Sequence, residues 1–352
     1  MNVEKAVLGD KKEYIAVDFF RFFCALLVVA LHLHPFWQIN YEFGFWLKEI
    51  FCRIAVPFFF VTSGYFLGEK IKDKKQTGRY LRRLLMLYIL YTIVYLPFII
   101  YGYRLVGGTV FQKILRFFRH FVCIGSYVHL WYFVGLIVAV ALIFILLNWC
   151  HLKPGKVLLI TAVLYVLGVL GSSYMEFFWN IPIVNRIVSP YYRIFETTRN
   201  GFFFGAFPVM AGCYMRLNAG KIVKRKYIVP AILCFGLMHL EVYFLKNRVI
   251  VGDYNYTFFT AATAIFLFLT IAFVKTSTGY GKHGKVLRSM SVLIFGVHLF
   301  VNGCVEKLGI MLGLPVNAVL QFCLVVVLTI CIAGIVVFLS RYKAFAWVKY
   351  FY

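Results

Sequence analysis

Charged side chains are scarce in this chain: 14% of its 352 residues, against about 25% in soluble domains. That scarcity excludes a soluble globular domain, and a hydrophobic content of 62%, against about 45–50% in soluble domains, agrees. Acids are scarcer still, with 13 Asp and Glu beside 37 Lys and Arg, giving a net charge of +24. The nine cysteines contain no CxxC pair and no Cys/His cluster at zinc-ligand spacing. Thiol-redox and zinc chemistry therefore have no support, and the cysteines read as small apolar filler. There is no GxSxG elbow, no phosphate-binding loop and no HExxH helix, so the soluble-enzyme signatures of acyl hydrolysis, nucleotide hydrolysis and metalloproteolysis are missing. No internal repeat or low-complexity tract interrupts the chain.

The excess of positive charge does not point to nucleic acid, because the basic residues fall in short loops between apolar runs, as the positive-inside rule requires. Ten runs qualify as candidate spans: 15–34, 47–67, 84–102, 130–149, 157–172, 201–215, 227–245, 256–274, 290–304 and 315–339. The fifth, sixth and ninth are short and contain Gly or Ser, which is tolerated where a helix is buried in protein or lines a cavity. The polar start MNVEKAVLGDKKEY and the lack of a small-residue cleavage site predict a retained first helix, not a signal peptide. With the N-terminus inside, 24 of the 37 basic residues lie in cytoplasmic segments, 11 lie outside, and Arg21 and Arg53 sit deeper within spans. The expected architecture is all-α, a polytopic bundle of about ten spans in the cell membrane with both termini cytoplasmic. Residues 1–14 form a cytoplasmic segment, 15–340 the transmembrane domain and 341–352 a cytoplasmic tail. Between residues 111 and 122, apolar positions alternate with Lys113, Arg116 and Arg119 at helical spacing, which predicts an amphipathic helix bracing the outer interface.

Several spans carry side chains that a simple anchor would avoid. A charge at mid-bilayer costs ~2.5–3.5 kcal/mol on insertion scales, so such residues mark candidate sites. The first span holds Asp18, Arg21, His32 and His34. Arg21 and His32, eleven residues apart, fall within ~20° of one line on a helix and ~16 Å apart along it; His34 points to nearly the opposite side, as an outward or structural residue. Asp18 stands three residues before Arg21, in position for an i,i+3 contact. The second span carries Arg53 and continues as RIAVPFFFVTSGYFL, where Pro57 can free backbone carbonyls and Thr62, Ser63 and Gly64 permit close helix contact. Arg53 alone reads equally as an interfacial arginine; its depth near His32 favours a shared cavity. Arg199 and Asn200 open the Gly-rich sixth span at the same level. His129 and Trp131, in HLWY, open the fourth, where Trp131 and Tyr132 also fit an aromatic belt. His298 lies in the ninth span, and His239 and Glu241 in the seventh.

Together these segments resemble the acyltransferase-3 family of integral membrane acyltransferases. The resemblance rests on Arg21-x10-His32, RIAVPFFFVTSGYFL, HLWY at 129–132, RNGFFFGAFPVMAGC at 199–213 and FGVHL at 295–299, in order along nearly the whole chain. The wording is closest to the branch that includes the membrane domain of vancomycin-resistance serine racemases, whose soluble racemase follows the last span; no racemase activity is expected from these 352 residues. The resemblance implies acyl transfer, often acetyl transfer, from cytoplasmic acyl-CoA to a hydroxyl of an envelope glycan or a related small acceptor, with no metal. In that reading His32 is the general base, and Arg53 and Arg199 stabilise the oxyanion or orient the acceptor. Arg21, Lys74, Arg79, Arg82 and Arg83 bind the acyl-CoA donor, and His129, Trp131, Asn200 and His298 contact the acceptor. Two other readings use the same residues without chemistry: a transporter or binding module for a small amino acid such as serine, and a structural partner in envelope assembly.

Overall fold

A computed structural model describes residues 14–220, 227–248, 254, 256–274, 281–313 and 317–352. The N-terminal segment up to residue 13 and the basic residues within 221–226 and 275–280 lie outside the described residues. The described residues form helices and no strand. In chain order they are α1 (Ile15–Leu33), α2 (Tyr41–Trp46), α3 (Ala55–Leu67), α4 (Lys74–Leu105), α5 (Val110–Arg119), α6 (Trp131–Phe144), α7 (Pro154–Leu170), α8 (Met175–Phe178), α9 (Pro182–Phe195), α10 (Ala206–Leu217), α11 (Ile228–Arg248), α12 (Phe258–Ala272), α13 (Gly281–Met311) and α14 (Ala318–Leu339). A final 3₁₀ segment covers Lys343–Phe351.

Seven helices are long and apolar enough to cross a membrane among the described residues, and three shorter apolar ones, Pro154–Leu170, Gly201–Leu217 and Phe258–Ala272, complete a polytopic helical bundle. The lengths differ from the hydropathy reading in three places. The third span begins at Lys74, because Asp73 caps it by accepting from the backbone N–H of Lys75 (2.8 Å) and Gln76 (3.1 Å). Its basic residues therefore sit on helix, not loop. The ninth span is a 31-residue helix, and the short one is the eighth. The second begins at Tyr41, capped by Asn40, and passes through a π turn (Leu47–Phe51) and a 3₁₀ turn (Cys52–Ile54) before α3. Pro57 explains the break: it has no N–H to give the Arg53 carbonyl four residues earlier.

The amphipathic segment forms as expected, from a Thr109–Gln112 capping box through α5 into a π turn at His120–Ile124. Arg119 and His120 tie it to Glu196, which ends α9, a helix that hydropathy did not reveal.

Burial ranks the helices. Within its most apolar 18 residues the stretch Tyr41–Leu67 is 72% buried and α1 56%, whereas α14 is 22% buried. The first two spans are thus the centre of the bundle, with α14 at its rim. Helix α3 crosses α10 with no room to spare: a Cβ on Gly64 would overlap the Val209 carbonyl, and one on Gly212 the Val61 carbonyl. Helix α1 packs against α13, α3 and α14. That packing holds Arg21 at one end of the bundle's core and His32 at the other.

Candidate active site

Helix α1 ends at His34 in the left-handed region (φ 50°), with its N–H bonded to the Ala30 carbonyl. His32 is therefore in the last regular turn, and His34 no longer follows the helical phase. For that reason His34 turns into the same cavity as His32, contrary to the projection from helical spacing.

This cavity, outer by the charge count of the sequence, has a volume of about 200 Å³. Its polar lining comprises His32, His34, Lys48, Arg53, His129 and Arg199, with Trp131, Tyr132, Phe204 and Phe295 among its apolar walls. The irregular turn before α3 supplies Arg53, and the loop before the π turn at Gly201–Gly205 supplies Arg199. Arg199 is held over the Trp131 ring, 5.0 Å from its centroid, a cation–π contact that fixes the guanidinium beside His129 and Tyr132.

One member of this site escaped the sequence reading. Glu49, buried at 5% exposure, accepts from Arg53 Nε (3.0 Å) and Nη2 (2.5 Å) and pairs with Lys48 Nζ at 2.9 Å. The signal was present: an acid four residues before an intramembrane arginine is an i,i+4 pair. Glu49 holds both cations from behind and offsets one of their two positive charges, so the outer cavity keeps a net positive charge from the three.

Asn200 does not line the cavity. Its Oδ1 accepts from the N–H of Phe202 (3.0 Å) and Phe203 (3.2 Å), and its amide donates to the Tyr191 hydroxyl. Those bonds satisfy helix-start donors, so its polarity serves the fold. His298 also stands behind the wall. Its ring is 5.3 Å from that of His32 and 5.0 Å from that of His129, and the His32–His129 separation is 6.4 Å.

At the opposite end of α1 lies a second cavity of about 950 Å³, lined by Arg21, Lys70, Arg79, Arg83, Arg288 and Lys349 together with Ser63, Tyr80 and Tyr352. Apart from Arg21, which lies within the first span, these cations come from segments that the charge count assigns to the cytoplasm. Asp18 sits 3.8 Å from Arg21 Nη1, as its spacing predicts, and 3.9 Å from Arg288 Nε. Lys74 and Arg82 do not line the cavity. On α4 the residues Gln76, Arg79, Tyr80 and Arg83 share one face, and ~100° per residue turns Lys74 and Arg82 away from it. Lys70, from the turn just before α4, and Arg288 and Lys349, from distant parts of the chain, take their place.

A third cavity, of about 140 Å³, lies between the two. It shares Arg21, Ser63, Tyr80, Arg83 and Val292 with the inner cavity, and Tyr132 and Phe295 with the outer one. The three spaces thus stand in series. Tyr132 and Phe295, ring centroids 5.3 Å apart, form the partition before His32, and the Tyr132 hydroxyl lies 3.4 Å from Ser63 Oγ. No group of three or more His, Cys, Asp or Glu side chains suited to a metal ion occurs among the described residues.

The acyltransferase-3 family, described as an acyltransferase domain, matches residues 14–338. The chain belongs to the acyltransferase-3 family. Membership agrees with a multi-pass membrane acyltransferase. Among curated relatives, an amino-acid racemase of Enterococcus faecalis is 27% identical over 336 residues, covering 92% of this chain and 46% of the relative. A serine/alanine racemase of Enterococcus gallinarum is 30% identical over 215 residues, covering 58% of this chain and 29% of the relative. The chain thus spans less than half the length of the curated relatives it matches. No solved structure matches.

Proposed function

We propose that this acyltransferase-3 protein takes an acyl group, acetyl in the simplest case, from acyl-CoA at the basic inner cavity and delivers it to a hydroxyl at the outer cavity. The acceptor class is an envelope glycan or a related small hydroxyl compound. One observation carries the reading: three cavities in series place Arg21 and five further cations at one end and His32 at the other, with shared walls between.

The chemistry of each end fits the donor. Acyl-CoA is a polyanion joined to a long, thin arm, and a wide cavity with several guanidinium groups suits phosphates. The narrow middle cavity suits the arm and excludes the nucleotide. At the outer end, His32 takes the proton of the acceptor hydroxyl as its oxygen bonds to the thioester carbon. Arg199 and Arg53 face the oxyanion that forms. The carbon–sulfur bond then breaks, and His32 returns its proton to the leaving thiolate. His129 and Trp131 border the acceptor.

The test is acetyl-CoA turnover by the purified protein in lipid nanodiscs. Native protein consumes acetyl-CoA and His32→Ala does not. Equal turnover by the two proteins overturns the reading.

The relatives favour a second reading. Two are amino-acid racemases and one a serine/alanine racemase, and the outer cavity, at about 200 Å³ with two arginines, also suits a small amino acid. On this reading Arg53 and Arg199 hold a carboxylate and the protein moves or presents serine. Serine uptake by proteoliposomes, lost in Arg199→Ala while acetyl-CoA is left untouched by the native protein, would establish it in place of acyl transfer.

A further inference from the structure

His298 is fully buried, touches His32, and yet does not line the outer cavity. Its hydrogen bonds reveal which ring nitrogen carries the proton. Nδ1 lies 2.8 Å from the Phe295 carbonyl and 3.2 Å from that of Ile294. A carbonyl only accepts, so Nδ1 is the N–H donor, and in the neutral ring Nε2 is a bare lone pair. That Nε2 is buried and has no hydrogen-bond partner among the described residues. His129, 1% exposed, is set the other way round. Its Nε2 lies 3.4 Å from the Gly296 carbonyl, and its Nδ1 is the buried nitrogen without a partner. Three successive carbonyls of α13 thus orient two imidazoles, each with an unused acceptor beside His32.

A buried acceptor left without a donor is costly, so such groups call for an explanation. His32 supplies one, because a neutral imidazole has a single N–H to give and a single lone pair to use as a base. We infer that His298 is a positioning residue for His32: its Nε2 accepts the His32 N–H and so turns the other His32 nitrogen, with its lone pair, toward the acceptor hydroxyl. The arrangement does for His32 what the carboxylate does for histidine in a serine-protease triad, with no buried charge. Catalytic hydrogen bonds are commonly long before substrate binds and tighten in the complex, which fits a centroid separation of 5.3 Å with the rings tilted by 35°. When His32 takes up the hydroxyl proton, His298 keeps its own; it holds the imidazolium until the proton passes to the thiolate. His129, with its ring at 6.4 Å, stands as the more distant second acceptor.

This inference rests on the acyl-transfer reading, and one set of variants separates the two. The probe is acetyl-CoA, with water as acceptor, in nanodiscs. His298→Asn keeps an N–H for the α13 carbonyls and removes the acceptor at the Nε2 position; His298→Gln places an amide oxygen there. His298→Asn is expected to lower kcat by about 10²-fold, the low end for acid–base catalysis, and to leave KM for acetyl-CoA within about twofold. His298→Gln should recover about tenfold of that loss, and His129→Phe should cost less than His298→Asn. Melting temperatures establish that each variant is folded, and if His298→Asn does not fold, His298→Gln and native protein still give the comparison through kcat against KM. Equal kcat for the Asn and Gln variants, or a rise in KM at unchanged kcat, overturns the positioning role. Native turnover in His32→Ala overturns the acyl-transfer reading itself, whereas an inactive His32→Ala beside a fully active His298→Asn overturns only this inference.

Discussion

The outer and inner cavities solve different problems with similar side chains. The outer one, about 200 Å³, fixes each charge: Arg53 and Lys48 on Glu49, Arg199 on Trp131. The inner one, about 950 Å³, gathers six cations from α1, the turn between α3 and α4, α4, α13 and the final 3₁₀ segment, and buried Asp18 lies within 4 Å of two of them, Arg21 and Arg288. Fixed charges in a small, aromatic space suit a reacting centre, where a displacement of 1 Å is costly. A broad, exposed field of charge suits capture of a polyanion, where approximate placement suffices.

The largest effect that separates the two regions is expected at His32. His32→Ala should lower acetyl-CoA turnover by about 10²–10⁴-fold and leave donor binding nearly unchanged, as single-turnover assays and equilibrium binding would show. A comparable loss of donor binding would merge the two sites into one. Next in size is Glu49→Ala, which strands Arg53 and Lys48. Breaking a buried pair from one side costs about 3–5 kcal/mol, so the melting temperature should fall sharply and kcat with it; a normal melting curve would mean that water already compensates these cations.

At the inner end the expected change is in binding. Arg79→Glu with Arg83→Glu should raise KM for acetyl-CoA by about tenfold or more, since a hydrogen bond to a charged group contributes about 1.5–3 kcal/mol. The matched pair Lys74→Glu with Arg82→Glu, off the cavity face, should shift KM by less than about threefold, and that remainder should fade with added salt. Equal effects from both pairs would show that only net charge matters.

The smallest effect concerns the cap of α4. The side chain and N–H of Gln76 and the N–H of Lys75 hold the Asp73 carboxyl below the usual aspartate range. Its folded pKa is depressed, so its stabilisation is present above the ordinary aspartate pKa and is lost as pH falls through the folded value. Asp73→Ala should therefore lower the melting temperature slightly at neutral pH and make no difference in strong acid. A deficit that persisted in acid would refer the effect to something other than the charged cap.

Much of this contrast was legible in the residues. Spans follow from hydropathy because a lipid-facing backbone has no partner but itself, and the separation of Arg21 from His32 follows from helical rise and phase. Legibility failed where helical phase failed. His34 joined His32 because α1 ends in a left-handed residue, which hydropathy does not record. Lys74 and Arg82 were grouped with Arg79 and Arg83 by proximity in a basic run, although helix geometry splits them. Asn200 looked like a ligand because it is polar at a helix start, and helix starts are also where Asn caps. Lys70 belongs to the same basic run as Arg79 and Arg83, whereas Arg288 and Lys349 could not be gathered from sequence spacing, since tertiary packing alone brings them to it. Glu49 was readable from its i,i+4 relation to Arg53 and was passed over because it precedes the apolar core of its span.

The partition formed by Tyr132 and Phe295 has an electrical consequence. A row of cavities through a bundle is a candidate leak, and a protein that shorted the membrane would dissipate the gradient its cell lives on. Each elementary charge crossing the membrane releases about 2.3 kcal/mol per 100 mV, and hydrated ions are driven toward any open path. Two packed rings between the middle and outer spaces put an apolar seal at the narrowest point of that path. Widening the seal, with Phe295→Gly for example, would then show first as proton or ion conductance across the bilayer rather than as a change in chemistry.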